Sequence, residues 1–155
     1  MKLKGVIFED FVNYKKPCMT LEFPYCTFKC GNEICQNSYL ANAPNIDVNI
    51  NSLIERYCGN NITSAVCFQG LEPFDSFNDL LTFITNFREK SNDDIVIYTG
   101  YYEEEIHCML TDLKKYDNII IKFGRYLTNR NNKFDSLLGV TLSSDNQYAK
   151  RIEDI

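Results

Sequence analysis

The chain lacks long hydrophobic runs, an excess of basic residues and low-complexity tracts. Because no apolar stretch is long enough for a membrane span or a signal peptide, we expect a cytoplasmic protein that does not enter a membrane. The formal net charge of -5 excludes the basic footprint that nucleic-acid-binding proteins typically carry. With no internal repeat or linker, the 155 residues, 45% of them hydrophobic, suit one compact domain spanning residues 1–155.

Three of the seven cysteines are clustered: Cys26, Cys30 and Cys35 lie within ten residues, directly after a strand-like run. In a reducing cytosol, clustered thiols indicate metal binding or catalysis rather than disulfides. Iron–sulfur clusters normally have four thiolates and structural zinc has four ligands, so three thiolates predict a metal centre with one open position. The other cysteines are isolated: Cys18, Cys58, Cys67 and Cys108. We interpret them as structural, and keep Cys18 as an alternative fourth thiolate or resolving thiol.

Strand-like and helix-like segments alternate along the chain. The main strands are predicted at 19–23, 64–68, 94–98 and 118–122, with shorter ones at 5–8 and 139–142. Helices are predicted near 46–59, 76–90 and 103–115, and a loop at 127–134. Either Asp47 or Asn49 is the expected cap of the first helix, which Gly59 would end. This alternation predicts an α/β fold with a right-handed parallel sheet, open or curled into part of a (βα) barrel.

The unusual residues follow the main strands. The cysteine loop comes after the first of them, and the next three are followed by Gly70–Pro73, by Thr99 and Gly100, and by Lys122–Arg125. Ligands bind at the carboxyl ends of strands in such sheets. We therefore expect all four segments to meet at one rim.

The cysteine loop resembles the C-x-x-x-C-x-x-C signature of the radical S-adenosylmethionine enzymes, and Gly70-Leu71-Glu72-Pro73 resembles their Gly-Gly-Glu-Pro motif. Within these enzymes, the chain most resembles the small activating proteins of anaerobic ribonucleoside-triphosphate reductases. Three later segments carry this narrower resemblance: Tyr98-Thr99-Gly100-Tyr101, the Gly124-Arg125 turn and Asn146-Gln147. The resemblance covers most of the chain and is strongest before Tyr102. It implies a single radical S-adenosylmethionine domain with an open, partial TIM-barrel fold.

The chain departs from this pattern at two places. Four residues separate Cys30 from Cys35 where the family usually has two, so Gly31-Asn32 or Glu33 must bulge for Cys35 to reach the same cluster. Leu71 replaces the second glycine, and leucine adopts a positive φ less easily than glycine does. The Leu71 backbone can therefore contact the cofactor only if that contact does not need a positive φ.

The resemblance implies a [4Fe-4S] cluster on Cys26, Cys30 and Cys35, with S-adenosylmethionine on the open iron. Reductive cleavage of that cofactor would give methionine and a 5′-deoxyadenosyl radical. Nine residues are candidates for contact with the cofactor: Tyr25, Ile34, Gly70, Leu71, Glu72, Tyr98, Thr99, Lys122 and Asn146. We expect the Gly70–Glu72 backbone beside the methionine part and the aromatic and Ile34 side chains beside the adenine. Lys122 is expected to neutralise the cofactor carboxylate, to meet a partner's backbone, or to be a solvated charge.

Three classes of function remain open. The first, implied by the resemblance, is an oxidoreductase that forms a glycyl radical on a large anaerobic ribonucleotide reductase subunit, with reduced flavodoxin or a similar protein as electron donor. The second is a radical enzyme that acts on a small molecule, such as a modified-base precursor. The third is a non-catalytic zinc or iron–sulfur module, with zinc bound by the three clustered thiols and by Cys18 or His107. As the less specific interpretation, His107 is an exposed or half-buried histidine without a ligand role.

Overall fold

A six-stranded mixed sheet forms the centre of the fold in the computed structural model, which describes residues 1–31 and 33–155. The strands are β1 (Lys2–Leu3), β2 (Gly5–Asp10), β3 (Cys18–Phe23), β4 (Ile46–Asp47), β5 (Ala65–Gly70), β6 (Asp94–Tyr98), β7 (Ile119–Phe123), β8 (Lys133–Asp135), β9 (Val140–Leu142) and β10 (Tyr148–Arg151). The α-helices are α1 (Ser38–Asn42), α2 (Ile50–Cys58), α3 (Phe77–Arg88) and α4 (His107–Leu113). Short 3₁₀ turns span Pro73–Ser76, Glu103–Glu105 and Ile152–Asp154. The order of strands in the main sheet is β10-β7-β6-β5-β3-β2.

The four central strands β3, β5, β6 and β7 are parallel, which confirms the predicted α/β class. All five residues of β7 are buried, as expected for a strand that is covered on both faces. Helices α2, α3 and α4 pack against one face of the sheet through their apolar sides. Tyr14, Leu138 and Leu142 cover part of the other face.

The prediction of a purely parallel sheet is wrong at both edges. Strand β2 pairs with β3, and β10 pairs with β7, and both pairs are antiparallel. A parallel pair needs a long crossover, whereas only seven residues separate β2 from β3, so the chain returns in the opposite direction. The order of strands leaves β2 and β10 at the edges of the sheet. The curl of a partial barrel stays a prediction.

Other predicted elements shift in position. Ile46 and Asp47 form β4, which pairs with β1, so the first predicted helix begins at Ile50. Asn49 is its cap, because the Asn49 side chain accepts a hydrogen bond from the Ser52 backbone at 3.0 Å. Strand β9 pairs with β8 outside the main sheet, and β8 begins inside the predicted loop. Among the described residues, no helix has the length and apolar character needed to cross a membrane.

Gly70 ends β5 with φ +99°, a torsion that L-amino acids rarely adopt. A Cβ atom at this position would lie 2.6 Å from the backbone nitrogen of Phe23 on the neighbouring strand. We expect Gly70→Ala to lower the free energy of unfolding by about 2 kcal/mol or more, since both the torsion and the strand contact must change. Urea unfolding of the reduced, cluster-free protein measures this.

The matched control is Gly59→Ala, at a position with φ -82° where an added Cβ makes ordinary contacts. We expect this variant to lose much less stability than Gly70→Ala. Equal losses in the two variants would contradict the assigned strain at Gly70.

Candidate metal centre

A partly open cavity of about 370 Å³ lies at the carboxyl ends of the parallel strands. Its volume is within the range of small-molecule sites. Segments that follow β3, β5, β6 and β7 all contribute to its wall, so the structure brings together the four segments expected at one rim. The lining residues discussed below are Cys26, Cys30, Cys35, Gly70, Leu71, Glu72, Tyr98, Thr99, Lys122 and Arg125, together with Val12, Val140, Leu142 and Gln147.

The cysteine loop is irregular but is anchored at both ends. Near its start, the Thr27 backbone N–H donates to the Asp75 carboxylate at 2.8 Å. Past its last cysteine, the Asn37 side-chain amide donates to the Gly70 carbonyl at 3.0 Å. Inside the loop, Phe28 has φ +51° and Gly31 has φ +91°. Of the residues at which a bulge is predicted, Gly31-Asn32 or Glu33, Gly31 has left-handed backbone and Asn32 lies outside the described residues.

The three clustered cysteines carry free thiols and are half-buried on the same cavity wall. Burial raises the pKa of the Cys26 thiol to about 11, although the Phe28 backbone N–H donates to its sulfur at 3.2 Å. Burial also raises the pKa of Cys30, and the nearby Cys35 thiol adds to this effect. Metal binding requires thiolates, so loading this site must release protons.

The donor set suits a cluster better than a single ion. Within residues 1–31 and 33–155, no three His, Cys, Asp or Glu side chains are grouped so that they could hold one metal ion. The thiolates of a [4Fe-4S] cluster bind different iron atoms, so they surround a larger group and need not converge on one point. Three free thiols on a cavity wall fit such a group.

The alternative fourth ligands lie elsewhere. Cys18 begins β3, roughly 16 Å from Phe23 at the other end of the strand, and its buried sulfur lies 3.6 Å from Thr20 Oγ1. His107 is exposed at the start of α4 and lies outside the described lining of the cavity. The geometry therefore favours neither of them as a fourth ligand.

The turn after β5 accommodates Leu71 without strain. Gly70 carries the positive φ, whereas Leu71 is not among the described residues with this torsion. The Leu71 and Glu72 backbone N–H groups donate to the carbonyls of Phe23 and Tyr25, at 3.2 Å and 2.8 Å. The leucine that replaces the family's second glycine therefore leaves the turn intact.

Glu72 is buried and its carboxylate accepts three hydrogen bonds. The donors are the Phe74 backbone at 3.1 Å, the Thr99 hydroxyl at 2.8 Å and the Gly100 backbone at 2.9 Å. Burial raises the pKa of Glu72 to about 7, while the three donors favour its ionised form. The carboxylate thus positions the turns after β5 and β6.

Lys122 is a buried cation on the cavity wall. Its ammonium donates to the carbonyls of Gly124 at 3.0 Å and Thr99 at 3.4 Å, and it forms no salt bridge with any described residue. Burial lowers the pKa of Lys122 to about 8, and the Glu72 charge partly offsets this. The ammonium also lies 5.7 Å from the centre of the Tyr98 ring. The solvated charge considered from the sequence is wrong, because this lysine is only 7% exposed.

Three of the candidate cofactor residues lie outside the described lining of the cavity: Tyr25, Ile34 and Asn146. The Tyr25 side chain is 50% exposed and Ile34 is 39% exposed. Asn146 lies nearby, since its amide nitrogen donates to the Arg125 carbonyl at 2.9 Å. Its buried amide oxygen has no hydrogen-bond partner among the described residues.

Sequence reasoning missed part of the cavity wall. Val12 comes from the segment after β2, and Val140 and Leu142 come from β9. Gln147 is buried and its side chain donates to the Gly124 carbonyl at 3.2 Å. No spacing in the sequence marks Val12, Val140 or Leu142, because antiparallel pairing and the β8–β9 hairpin bring them to the rim. Gln147 belongs to the Asn146-Gln147 segment of the resemblance, which did not predict its contact with Gly124.

Comparison with known proteins gives one match. The model of a family described as "4Fe-4S single cluster domain" matches residues 18–148, which is most of the chain. No curated protein and no solved structure matches the chain. The matched range contains all three clustered cysteines, the Glu72 turn and Lys122.

The buried lysine generates a prediction about stability and pH. Because the pKa of Lys122 falls from 10.5 to about 8 on folding, the unfolded chain holds this proton more tightly. Burial of the protonated lysine therefore lowers the free energy of unfolding. This loss is complete below pH 8 and decreases as the pH rises toward 10.5. Lys122→Met removes this loss in the cluster-free protein. Relative to the wild type, the variant should therefore gain about 2 kcal/mol more unfolding free energy at pH 7 than at pH 10.

Urea unfolding at the two pH values measures this difference. Lys90→Met, at an exposed position, controls for the substitution itself. A Lys122→Met effect that is the same at both pH values would contradict the lowered pKa.

Proposed function

Because the chain belongs to the family of 4Fe-4S single cluster domains, we propose that it is a radical S-adenosylmethionine enzyme with Cys26, Cys30 and Cys35 as cluster ligands. The observation that carries this proposal is that three free thiols line a cavity that the Gly70–Glu72 turn and Lys122 also line. Three ligands leave one iron for the cofactor. The resemblance of both motifs to the radical enzymes supports the same assignment.

When bound, the cluster supplies an electron for cleavage of S-adenosylmethionine into methionine and a 5′-deoxyadenosyl radical. The chain's own residues bind and orient the cofactor. Lys122, which has no carboxylate partner among the described residues, is suited to the cofactor's carboxylate. Tyr98 and Leu71 provide apolar surface on the cavity wall, and the Thr99 hydroxyl is already engaged by Glu72.

The substrate we propose is a backbone glycine in a large anaerobic ribonucleotide reductase, with a reduced flavodoxin or similar protein as electron donor. Exposed apolar side chains beside the cavity support a protein substrate. Val12 lines the cavity and is 76% exposed, and its neighbour Phe11 is 64% exposed. A protein segment inserted at this mouth would cover them and exclude water from the radical.

The ligand assignment predicts which cysteines hold iron. After anaerobic reconstitution, we expect about four irons per wild-type chain and a marked loss of iron in Cys26→Ala, Cys30→Ala and Cys35→Ala. Iron analysis and the EPR spectrum of the reduced protein measure this. The matched controls are Cys58→Ala and Cys108→Ala, which change exposed cysteines. Full iron content in Cys35→Ala would show that the ligand set is wrong.

The proposed activity predicts 5′-deoxyadenosine as a product. Incubation of the reconstituted protein with S-adenosylmethionine and a strong reductant, without oxygen, should release it, and chromatography measures its amount. His107→Ala should retain this activity, because His107 is exposed and outside the described cavity lining. An iron-loaded wild-type protein that releases no 5′-deoxyadenosine would support an electron-carrying or structural role instead.

A further inference from the structure

An ion pair lies beside the cysteine loop. The Arg125 guanidinium contacts the Glu105 carboxylate at 2.5 Å, and Lys29 of the loop lies 3.5 Å from the same carboxylate. The Glu105 carboxylate also accepts a hydrogen bond from the Tyr102 backbone at 2.9 Å. The hydrogen bond from Arg125 lowers the pKa of Glu105 to about 2, so this group is ionised at neutral pH.

Arg125 is held in place from several sides. Its guanidinium carbon lies 5.3 Å from the centre of the Tyr102 ring and 6.0 Å from that of Tyr101. Its backbone carbonyl accepts a hydrogen bond from the side-chain amide of Asn146. The side chain is 17% exposed, so solvent screens its charge less than it screens a fully exposed arginine. The position of this charge is therefore defined by the fold.

Arg125 shares two cavities with cysteines of the loop. Arg125 lines the main cavity and also a smaller one of about 20 Å³, which Cys26 and Cys30 line as well. These shared cavities place Arg125 beside the cysteine loop. Glu105 is not part of the described lining of either cavity. Of the two members of the pair, only Arg125 therefore shares a described cavity lining with the proposed cluster ligands.

We propose that the Arg125–Glu105 ion pair tunes the iron–sulfur centre by holding a positive charge beside Cys26 and Cys30, which raises the reduction potential of the cluster. Reduction adds one negative charge to the centre, and a nearby cation stabilises the more negative state. The inference rests on the ligand set proposed above, but it does not require that the protein cleaves S-adenosylmethionine. Arg125 acts here as a positioning and electrostatic residue, without binding iron.

The test is an EPR-monitored redox titration of reconstituted variants with matched iron content. Arg125→Gln removes the cation and should shift the midpoint potential to more negative values. Glu105→Gln removes the opposing carboxylate and should shift it to more positive values. Arg125→Lys keeps the charge and should restore most of the wild-type potential. A purely structural role for the pair does not predict shifts of opposite sign.

Two control variants make the same change in net charge elsewhere. Arg130→Gln removes a cation that is 54% exposed and paired with Asp145, and Glu104→Gln changes the exposed neighbour of Glu105. Both should shift the potential much less, because solvent screens their charges. If Arg125→Gln does not assemble a cluster, the test is the comparison of the midpoint potentials of Glu105→Gln and Glu104→Gln.

Two outcomes would overturn the inference. The first is an equal shift in Arg125→Gln and Arg130→Gln, or in Glu105→Gln and Glu104→Gln. The second is a shift of the same sign in Arg125→Gln and Glu105→Gln. These outcomes leave the proposed function intact. A wild-type protein without iron would instead overturn this inference together with the ligand assignment.

Discussion

Glu72 joins the segments that follow three parallel strands, through its buried carboxylate and its backbone N–H, and the geometry of the cavity depends on this residue. It accepts hydrogen bonds from Thr99 and Gly100 after β6, while its own backbone N–H donates to the Tyr25 carbonyl after β3. Removing one partner of such a buried network leaves the other groups unsatisfied, which costs more than a single hydrogen bond contributes. The cysteine loop therefore begins from a backbone position that is already constrained by the turn carrying Glu72.

The distribution of charge around the cavity differs from that of the whole chain. The chain carries a net charge of -5, yet Lys122 and Arg125 line the main cavity and Lys29 lies beside it. Lys122 is buried without a salt bridge to a described residue, an arrangement that destabilises the protein without ligand. Such a cost is typical of functional sites, where groups are arranged for the bound state rather than for the free one. The cationic wall suits an anionic cluster and a ligand carboxylate.

The sequence predicts the centre of this fold better than its edges. Strands β5, β6 and β7 contain apolar runs that are buried on both faces, so their composition indicates parallel strands with helices between them. Strand β10 contains lysine and arginine and is only partly buried, so it has no comparable pattern. The same limit applies to the site. The cysteines, Glu72 and Arg125 lie in segments that the sequence marks, whereas Val12 and Val140 reach the cavity through antiparallel pairing and the β8–β9 hairpin.

Compared with the C-x-x-x-C-x-x-C signature that it resembles, the cysteine loop has two extra residues between Cys30 and Cys35, and it is anchored at both ends. Thr27 is bound by Asp75 and Asn37 by the Gly70 carbonyl, so the span between the anchors is set by the sheet and by the turn after β5. Left-handed backbone at Phe28 and Gly31 then lets the intervening chain take up additional length locally. Because loop closure depends only weakly on length, two added residues cost little free energy. The three thiols can therefore line one cavity although their spacing differs from that signature, since the anchors fix where the loop begins and ends.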